Sequence, residues 1–256
     1  MTFKPKLVAF DLDGTLAESK QRMEERMGEL VAQLLQRMPV AVMSGAAFHQ
    51  FESQFLPHLP DDARLEKLYL FPTNAAQCWV FEEGRWRTKY DHSFTELEKQ
   101  KIMAALKEAL AEVNFEHPAR VWGQQIEDRG TQVTFSALGQ EAPVEEKKKW
   151  DPDHKKRQPL YEALVKKLPD FSIGVNAATS IDITQKGITK AYGIKRLVEM
   201  SGISVSEMLY VGDALEEGGN DYVVKESGVQ TRAVFGPQET ATLIEDLLDD
   251  PVLARS

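Results

Sequence analysis

With a single cysteine, Cys78, the chain has no partner for an internal disulfide, so its stability cannot rest on cross-links. No run of about 18 apolar residues occurs, and no membrane span is expected. The charged opening Met1-Thr2-Phe3-Lys4 leads to no secretory apolar stretch, which makes the cytoplasm the expected compartment. Positive charge is in deficit as well: 31 Lys and Arg against 40 Asp and Glu leave a net charge of −9. That sign disfavours a general grip on nucleic acid or anionic lipid, though a few local cations or a metal suffice for an anionic substrate. The five histidines, His49, His58, His92, His117 and His154, show no metal-ligand spacing, so a zinc site is not expected. Internal repeats and low-complexity segments are absent too. What the chain does have is 256 residues, 42% of them hydrophobic and 28% charged, the composition of a globular protein with one large domain or two smaller ones.

The apolar run Leu7-Val8-Ala9-Phe10 ends at Asp11-Leu12-Asp13-Gly14-Thr15 and reads as a buried strand followed by a polar loop. Met23, Met27, Leu30, Val31, Leu34, Leu35 and Met38 then recur at intervals of three and four, the stripe of an amphipathic helix. Val40-Ala41-Val42-Met43 reads as a second buried strand, closed by Ser44-Gly45, and strand, helix, strand in that order predicts a parallel pair. From about Gln77 the pattern changes. Aromatic-rich runs flank Glu82-Glu83-Gly84-Arg85 as in a hairpin, and a helical stripe of Leu97, Ile102, Leu106, Leu110 and Val113 follows. A second hairpin is expected around Asp128-Arg129-Gly130, then a helix carrying Leu160, Leu164, Val165 and Leu168, and strands at 171–176 and 179–184. After Lys186-Gly187 a helix from Thr189 to Met200, a strand Met208-Leu209-Tyr210-Val211 ending in Gly212-Asp213, a strand near 231–235 and a last helix restore the parallel pattern. These signals predict an α/β core at 1–81 and 186–256, with an antiparallel α+β unit inserted at 82–185.

Three strands of the parallel part thus end in small polar motifs, and in open parallel sheets such ends surround the ligand crevice. Two aspartates spaced i, i+2, with a third from another strand, make an oxygen-rich pocket suited to a hard cation such as Mg²⁺. Taken singly, each motif has a plainer reading: a capped turn at Asp11, a small residue at a turn for Ser44, a solvated helix-start lysine for Lys190. An EF-hand does not fit, because the twelfth place is Arg22. Four motifs in order, each after the right element, outweigh those readings.

Together they resemble the haloacid dehalogenase superfamily of phosphotransferases, whose first signature is the Asp-x-Asp-Gly-Thr at 11–15. The resemblance spans nearly the whole chain and implies a Rossmann-like core with an inserted cap. It implies that Asp11 attacks phosphorus and carries an aspartyl phosphate, while Asp13 acts as acid and then base. Ser44, with Gly45 beside it, matches the second motif and would bind a phosphoryl oxygen; Lys190 matches the third and would offset transition-state charge. Asp213, Asn220 and Asp221 match the metal-binding fourth motif. The implied Mg²⁺ ligands are Asp11, the main-chain carbonyl of Asp13 and Asp213, with Asn220 and Asp221 orienting them.

The insert resembles the C2B cap of the subclass that contains sugar-phosphate phosphatases and eukaryotic-type phosphomannomutases. Gly218-Gly219-Asn220-Asp221 is similar to the mutase form of the fourth motif, and Arg129, Ser180 and Asp182 match positions where mutases bind the sugar phosphate. One departure separates the readings. Gln140 stands where the mutase segment ends in a second phosphate-gripping arginine, although Arg120 or the Lys147–Lys149 run offers other cations. A phosphatase needs no second grip. The sequence therefore favours an Mg²⁺-dependent phosphatase for a sugar phosphate or similar small phosphomonoester, with a hexose phosphomutase as the alternative and a non-catalytic phosphate-ligand binding protein as a remote third. The expected partner is a small phosphorylated sugar, with no nucleic acid and no membrane, and the chain is expected as a monomer or homodimer. The mixed-sign run Glu145 to Arg157 reads as solvated surface, and Trp79, Trp86, Trp122 and Trp150 as packing within the insert.

Overall fold

Apolar residues fill β1 (Leu7–Asp11) up to its last position because both faces of the strand are covered: Val8 and Phe10 join one buried cluster, Leu7 and Ala9 another. Unbroken burial of this kind belongs to a parallel strand inside a doubly covered sheet. The structure is a computed structural model that describes residues 3–19, 21–176 and 178–249. The first two residues and 250–256, both within the spans expected for the core, lie outside the described residues.

The amphipathic stripe after β1 forms α1 (Glu25–Arg37), which buries Met27, Leu30, Val31, Leu34 and Leu35. β2 (Val40–Met43) follows and pairs parallel with β1, as the strand–helix–strand order predicts. Next come α2 (Phe48–Gln54), β3 (Leu68–Phe71), parallel to β2, and the one-turn element α3 (Pro72–Ala75). β4 (Gln77–Glu82) and β5 (Arg85–Asp91) then form a hairpin. The insert contains α4 (Glu96–Glu112), β6 (Ile126–Asp128), β7 (Gln132–Ser136), α5 (Val144–Trp150), α6 (Gln158–Lys167), β8 (Phe171–Asn176) and β9 (Ser180–Gln185). The chain closes with α7 (Lys190–Ser201), β10 (Met208–Gly212), β11 (Gln230–Ala233) and α8 (Pro237–Asp249).

Residues 1–91 and 188–256 make one unit, and 92–187 the other. In the first, a seven-stranded sheet runs β11-β10-β1-β2-β3-β4-β5, parallel as far as β3 and antiparallel beyond it. One face packs on α1 and α8, the other on α7. In the second unit an antiparallel sheet, β6-β7-β9-β8, turns Val133, Phe135, Ile181 and Ile183 toward Ile102 and Leu106 of α4 and Leu160 and Leu164 of α6. Strand alternation therefore puts Thr134, Ser180 and Asp182 on the opposite face. No helix among the described residues is long and apolar enough to cross a membrane.

The insert starts at His92 rather than 82 and ends at Gly187 rather than 185. The cause is the pairing of β4 with β3, Tyr69 opposite Val80 and Leu70 opposite Trp79, which carries the whole hairpin into the core sheet. Trp79 and Trp86 go with it, and the Trp79 ring stacks on Phe48 at 4.0 Å instead of packing in the insert. A hairpin signature names the turn but not the sheet that adopts it. Periodicity also overreached at Leu97, 77% exposed on α4.

The mixed-charge run behaves in two ways. Lys148 and Lys149 do form exposed ion pairs with Glu145 and Glu146, now on the helix α5. Arg157, in contrast, is fully buried beside an equally buried Asp151, its Nε 2.7 Å from Asp151 Oδ2 and its Nη1 2.7 Å from the carbonyl oxygen of Ser180. Removing one partner of a buried pair strands the other charge in a low-dielectric interior. Arg157→Ala should therefore destabilise the chain by about 3–5 kcal/mol in urea unfolding, and a loss below about 1 kcal/mol would contradict this burial.

Candidate active site

β1, β2 and β10 run parallel in adjacent positions, so their carboxyl ends share one edge of the sheet and bring Asp11, Ser44 and Asp213 to it. After Asp11 the chain turns at once: the Leu12 carbonyl accepts from the N–H groups of Leu16 and Ala17, and Gly14 donates to the Ala17 carbonyl. Gly14 holds φ at +83°, and a Cβ there would run into the Asp213 carboxylate. Glycine is thus required twice over, for its backbone and for room. On the covering layer, Thr189 caps α7 by accepting from the Tyr192 N–H, and Lys190 begins the helix.

Lys190 is the hub. Its ammonium is 1% exposed and donates to Asp11 Oδ1 at 2.5 Å, to Asp221 Oδ1 at 2.5 Å and to the Tyr210 hydroxyl at 3.2 Å. Tyr210 in turn donates to Asp221 Oδ1 at 2.7 Å. Burial alone would drive Lys190 down, but the carboxylates of Asp11 and Asp221 beside it hold the ammonium well above its ordinary range. Burial pushes the Asp11 carboxyl up to about 7, opposed by Lys190 and reinforced by Asp221 and Asp213. Partial burial and then Asp221 raise Asp213 as well. Burial also raises Tyr210 far above the usual phenol, so its hydroxyl stays a donor.

The two oxygens of Asp11 differ in a way that matters chemically. Oδ1 is held by Lys190, whereas Oδ2 is buried with no hydrogen-bond partner among the described residues. An unsatisfied buried carboxylate oxygen is costly in a finished core, and it marks a position meant for a cation or an electrophile. Asp11, Asp213 and Asp221 each bring a carboxylate oxygen to within 4.8 Å of the others. Hard oxygen donors at that spacing, one of them orphaned, fit a divalent cation such as Mg²⁺.

The expected core residues Asp11, Lys190, Asp213 and Asp221 come together, with Ser44 buried next to them where Asp11 pairs with Met43. Ser44 Oγ accepts from the Ala46 N–H at 3.0 Å. Asp221 is more than an orienting residue, since it grips Lys190 directly; Asn220 lies exposed on the loop. Tyr210 escapes sequence reading altogether, because a tyrosine in a β-run looks like an ordinary strand former. On the insert, Ser180 and Asp182 share one face of β9, and Asp182 Oδ1 accepts from Thr134 Oγ1 at 2.7 Å. Arg129 is held by Glu127, whose Oε2 lies 3.0 Å from Nε and 2.7 Å from Nη2.

Residues 8–222 match the family of haloacid dehalogenase-like hydrolases. The chain is similar to the phosphomannomutase of Saccharomyces cerevisiae, 25% identical over 249 residues that cover 95% of this chain and 94% of the yeast protein. In fold it is similar to the IMP-nucleotidase of Plasmodium falciparum, with a TM-score of 0.71 at 16% identity, covering 97% of this chain and 62% of the other. Trehalose-6-phosphate phosphatase of Aspergillus fumigatus gives a TM-score of 0.61 at 15% identity over 96% of this chain and 94% of the other, again a likeness of fold.

The folded chain holds the Asp11 proton more tightly than an unfolded one, in which the carboxyl titrates near 3.8, so metal-free protein loses stability as pH rises toward about 7. The same proton competes with a cation for Oδ2. Calorimetric titration of the metal-free chain with Mg²⁺ should give an affinity about tenfold weaker at pH 6 than at pH 8. An affinity constant across that window would contradict the raised Asp11.

Proposed function

Because the chain belongs to the haloacid dehalogenase-like hydrolases, we propose that it transfers a phosphoryl group from a phosphorylated hexose through a covalent intermediate on Asp11. The observation that carries this reading is the asymmetric Asp11, clamped by Lys190 through Oδ1 and open at Oδ2. Asp11 attacks phosphorus as the bond to the sugar oxygen breaks, and the electron pair leaves with that oxygen, which takes a proton from Asp13. In the second half Asp13 removes the proton of the incoming hydroxyl, whose oxygen displaces Asp11 from phosphorus. Lys190 offsets the negative charge that grows on the phosphoryl oxygens, and the Ser44 hydroxyl with the Gly45 N–H binds them. Asp11, the Asp13 carbonyl and Asp213 would hold Mg²⁺, which would neutralise phosphate charge.

The acceptor in the second half is a sugar hydroxyl, which makes the reaction a phosphomutase reaction. Three supports converge on it: the phosphomannomutase name of a full-length relative, and two features around Gln140. Lys147 Nζ lies 2.9 Å from the Gln140 carbonyl, so a cation stands where the arginine is missing. The Gln140 side-chain Nε2 is buried and without an acceptor among the described residues, a donor left for a phosphate oxygen. Arg129, Ser180 and Asp182 bind the non-reacting part of the sugar phosphate. The second reading, hydrolysis with water as acceptor, rests on Gln140 itself: a neutral amide holds a bisphosphate less firmly than a guanidinium.

Mannose 1-phosphate incubated with the chain, Mg²⁺ and a catalytic amount of hexose bisphosphate distinguishes the two. Mannose 6-phosphate should accumulate, and Lys147→Ala should slow its formation about tenfold or more, the loss typical of one charge-assisted hydrogen bond. Free phosphate without isomerised sugar would replace the mutase reading by the hydrolase. Neither product, across a panel of sugar phosphates, would overturn both.

A further inference from the structure

Three consecutive residues, none of them glycine, hold left-handed backbone at the end of β3: Thr73 at φ 47°, Asn74 at 55° and Ala75 at 67°. Contact between Cβ and the following carbonyl disfavours each of them, and a β-branched threonine most of all. Such strain persists only where the surroundings over-determine it, and it gathers at functional sites.

The surroundings here are explicit. The Asn74 N–H donates to the Ser44 carbonyl at 2.8 Å, the Thr73 N–H to the Ala46 carbonyl at 2.9 Å, and the Tyr90 hydroxyl to the Ala75 carbonyl at 3.0 Å. On the other side the Ala75 methyl presses on α7 one turn after Lys190, at Gly193, where an added Cβ would lie 2.6 Å from it. One strained turn is therefore bolted both to the Ser44–Ala46 loop and to the helix that carries Lys190.

These bonds explain how the turn is held. They do not explain the Asn74 side chain, which is half-buried and has no hydrogen-bond partner among the described residues. Its Nδ2 and Oδ1 lie 3.6 and 3.7 Å from the place a Cβ on Gly45 would take, so the amide stands beside the loop assigned to the phosphoryl group. We propose that Asn74 is a further ligand of that group, its Nδ2 donating to a phosphoryl oxygen bound at Ser44 and Gly45, and that the left-handed turn exists to aim it. The proposal rests on Ser44 and Gly45 binding phosphate, whichever acceptor follows.

Asparagine also tolerates left-handed backbone better than most residues, so a purely conformational role has to be separated from a ligand role. Asn74→Gly does so, because it removes the amide while easing the backbone. Inorganic phosphate binding by calorimetry with Mg²⁺ present, thermal unfolding and turnover of a sugar phosphate are measured on both proteins. The variant should unfold at the same or a higher temperature, yet bind phosphate and turn over substrate about 10- to 100-fold less well, as for one lost hydrogen bond to a charged group. Asn74→Asp keeps the shape and sets an anion against the phosphate, so it should lose more. Phosphate binding unchanged in Asn74→Gly would overturn the proposal. Absence of phosphate binding by the unaltered chain would instead overturn the phosphoryl site on which it rests.

Discussion

A buried ammonium dictates the rest of this structure. Lys190 is almost wholly shielded from water, and an unpaired charge in that position is untenable, so the fold must bring carboxylates and a hydrogen-bond acceptor to it. It does so from both ends of the sequence: Asp11 lies 179 positions before Lys190, and Tyr210 and Asp221 follow it by 20 and 31. The parallel order of β10, β1 and β2 is what lets such distant residues meet at one sheet edge. It also allows the chain to leave after β5, build a separate antiparallel unit and return at α7 without disturbing the cluster.

The cluster is left incomplete on purpose of chemistry rather than by poor packing. Around it the core is saturated, with β1, β2 and β10 buried along their lengths. Within it one carboxylate oxygen lacks a partner among the described residues, a neighbouring aspartate is pushed toward its protonated form, and the adjoining turn holds three residues in backbone they disfavour. Each of these lowers stability, and each is concentrated where a dianionic phosphoryl group and a divalent cation would restore balance. A site organised before its ligand arrives needs little rearrangement at the moment of reaction. On the proposed reading the acidic net charge of the chain is no obstacle, since phosphate would meet Lys190 and a bound cation rather than the whole surface field.

Much of this is legible in the sequence, and the divide follows physical lines. Asp11, Ser44, Lys190 and Asp213 are visible because each interrupts an apolar run or opens a helix, and interruption is a strong one-dimensional signal. β1 and β2 are visible because strands buried on both faces have no polar alternation. The boundary of the insert is not, since it turns on the β3–β4 pairing and a hairpin signature carries no record of its neighbour. Arg157 looks like one more lysine-run residue until Asp151 closes on it, six positions away on a path that local periodicity does not describe. Tyr210, Asn74 and the orphaned oxygen of Asp11 were equally silent, because what distinguishes them is who stands beside them in space. Sequence pattern marks the polar residues that gather at the sheet edge; tertiary contact shows which neighbours hold them there.

The proposed reaction requires phosphate to pass through Asp11. Asp13→Asn incubated with p-nitrophenyl phosphate and Mg²⁺ tests it most directly, because that leaving group needs no proton from residue 13 while discharge of the intermediate still needs a base. One phosphoryl group per chain should be trapped after quenching and map by peptide mass spectrometry to Asp11. Nitrophenolate released with no phosphoryl group on the chain, or with the label on another residue, would contradict it.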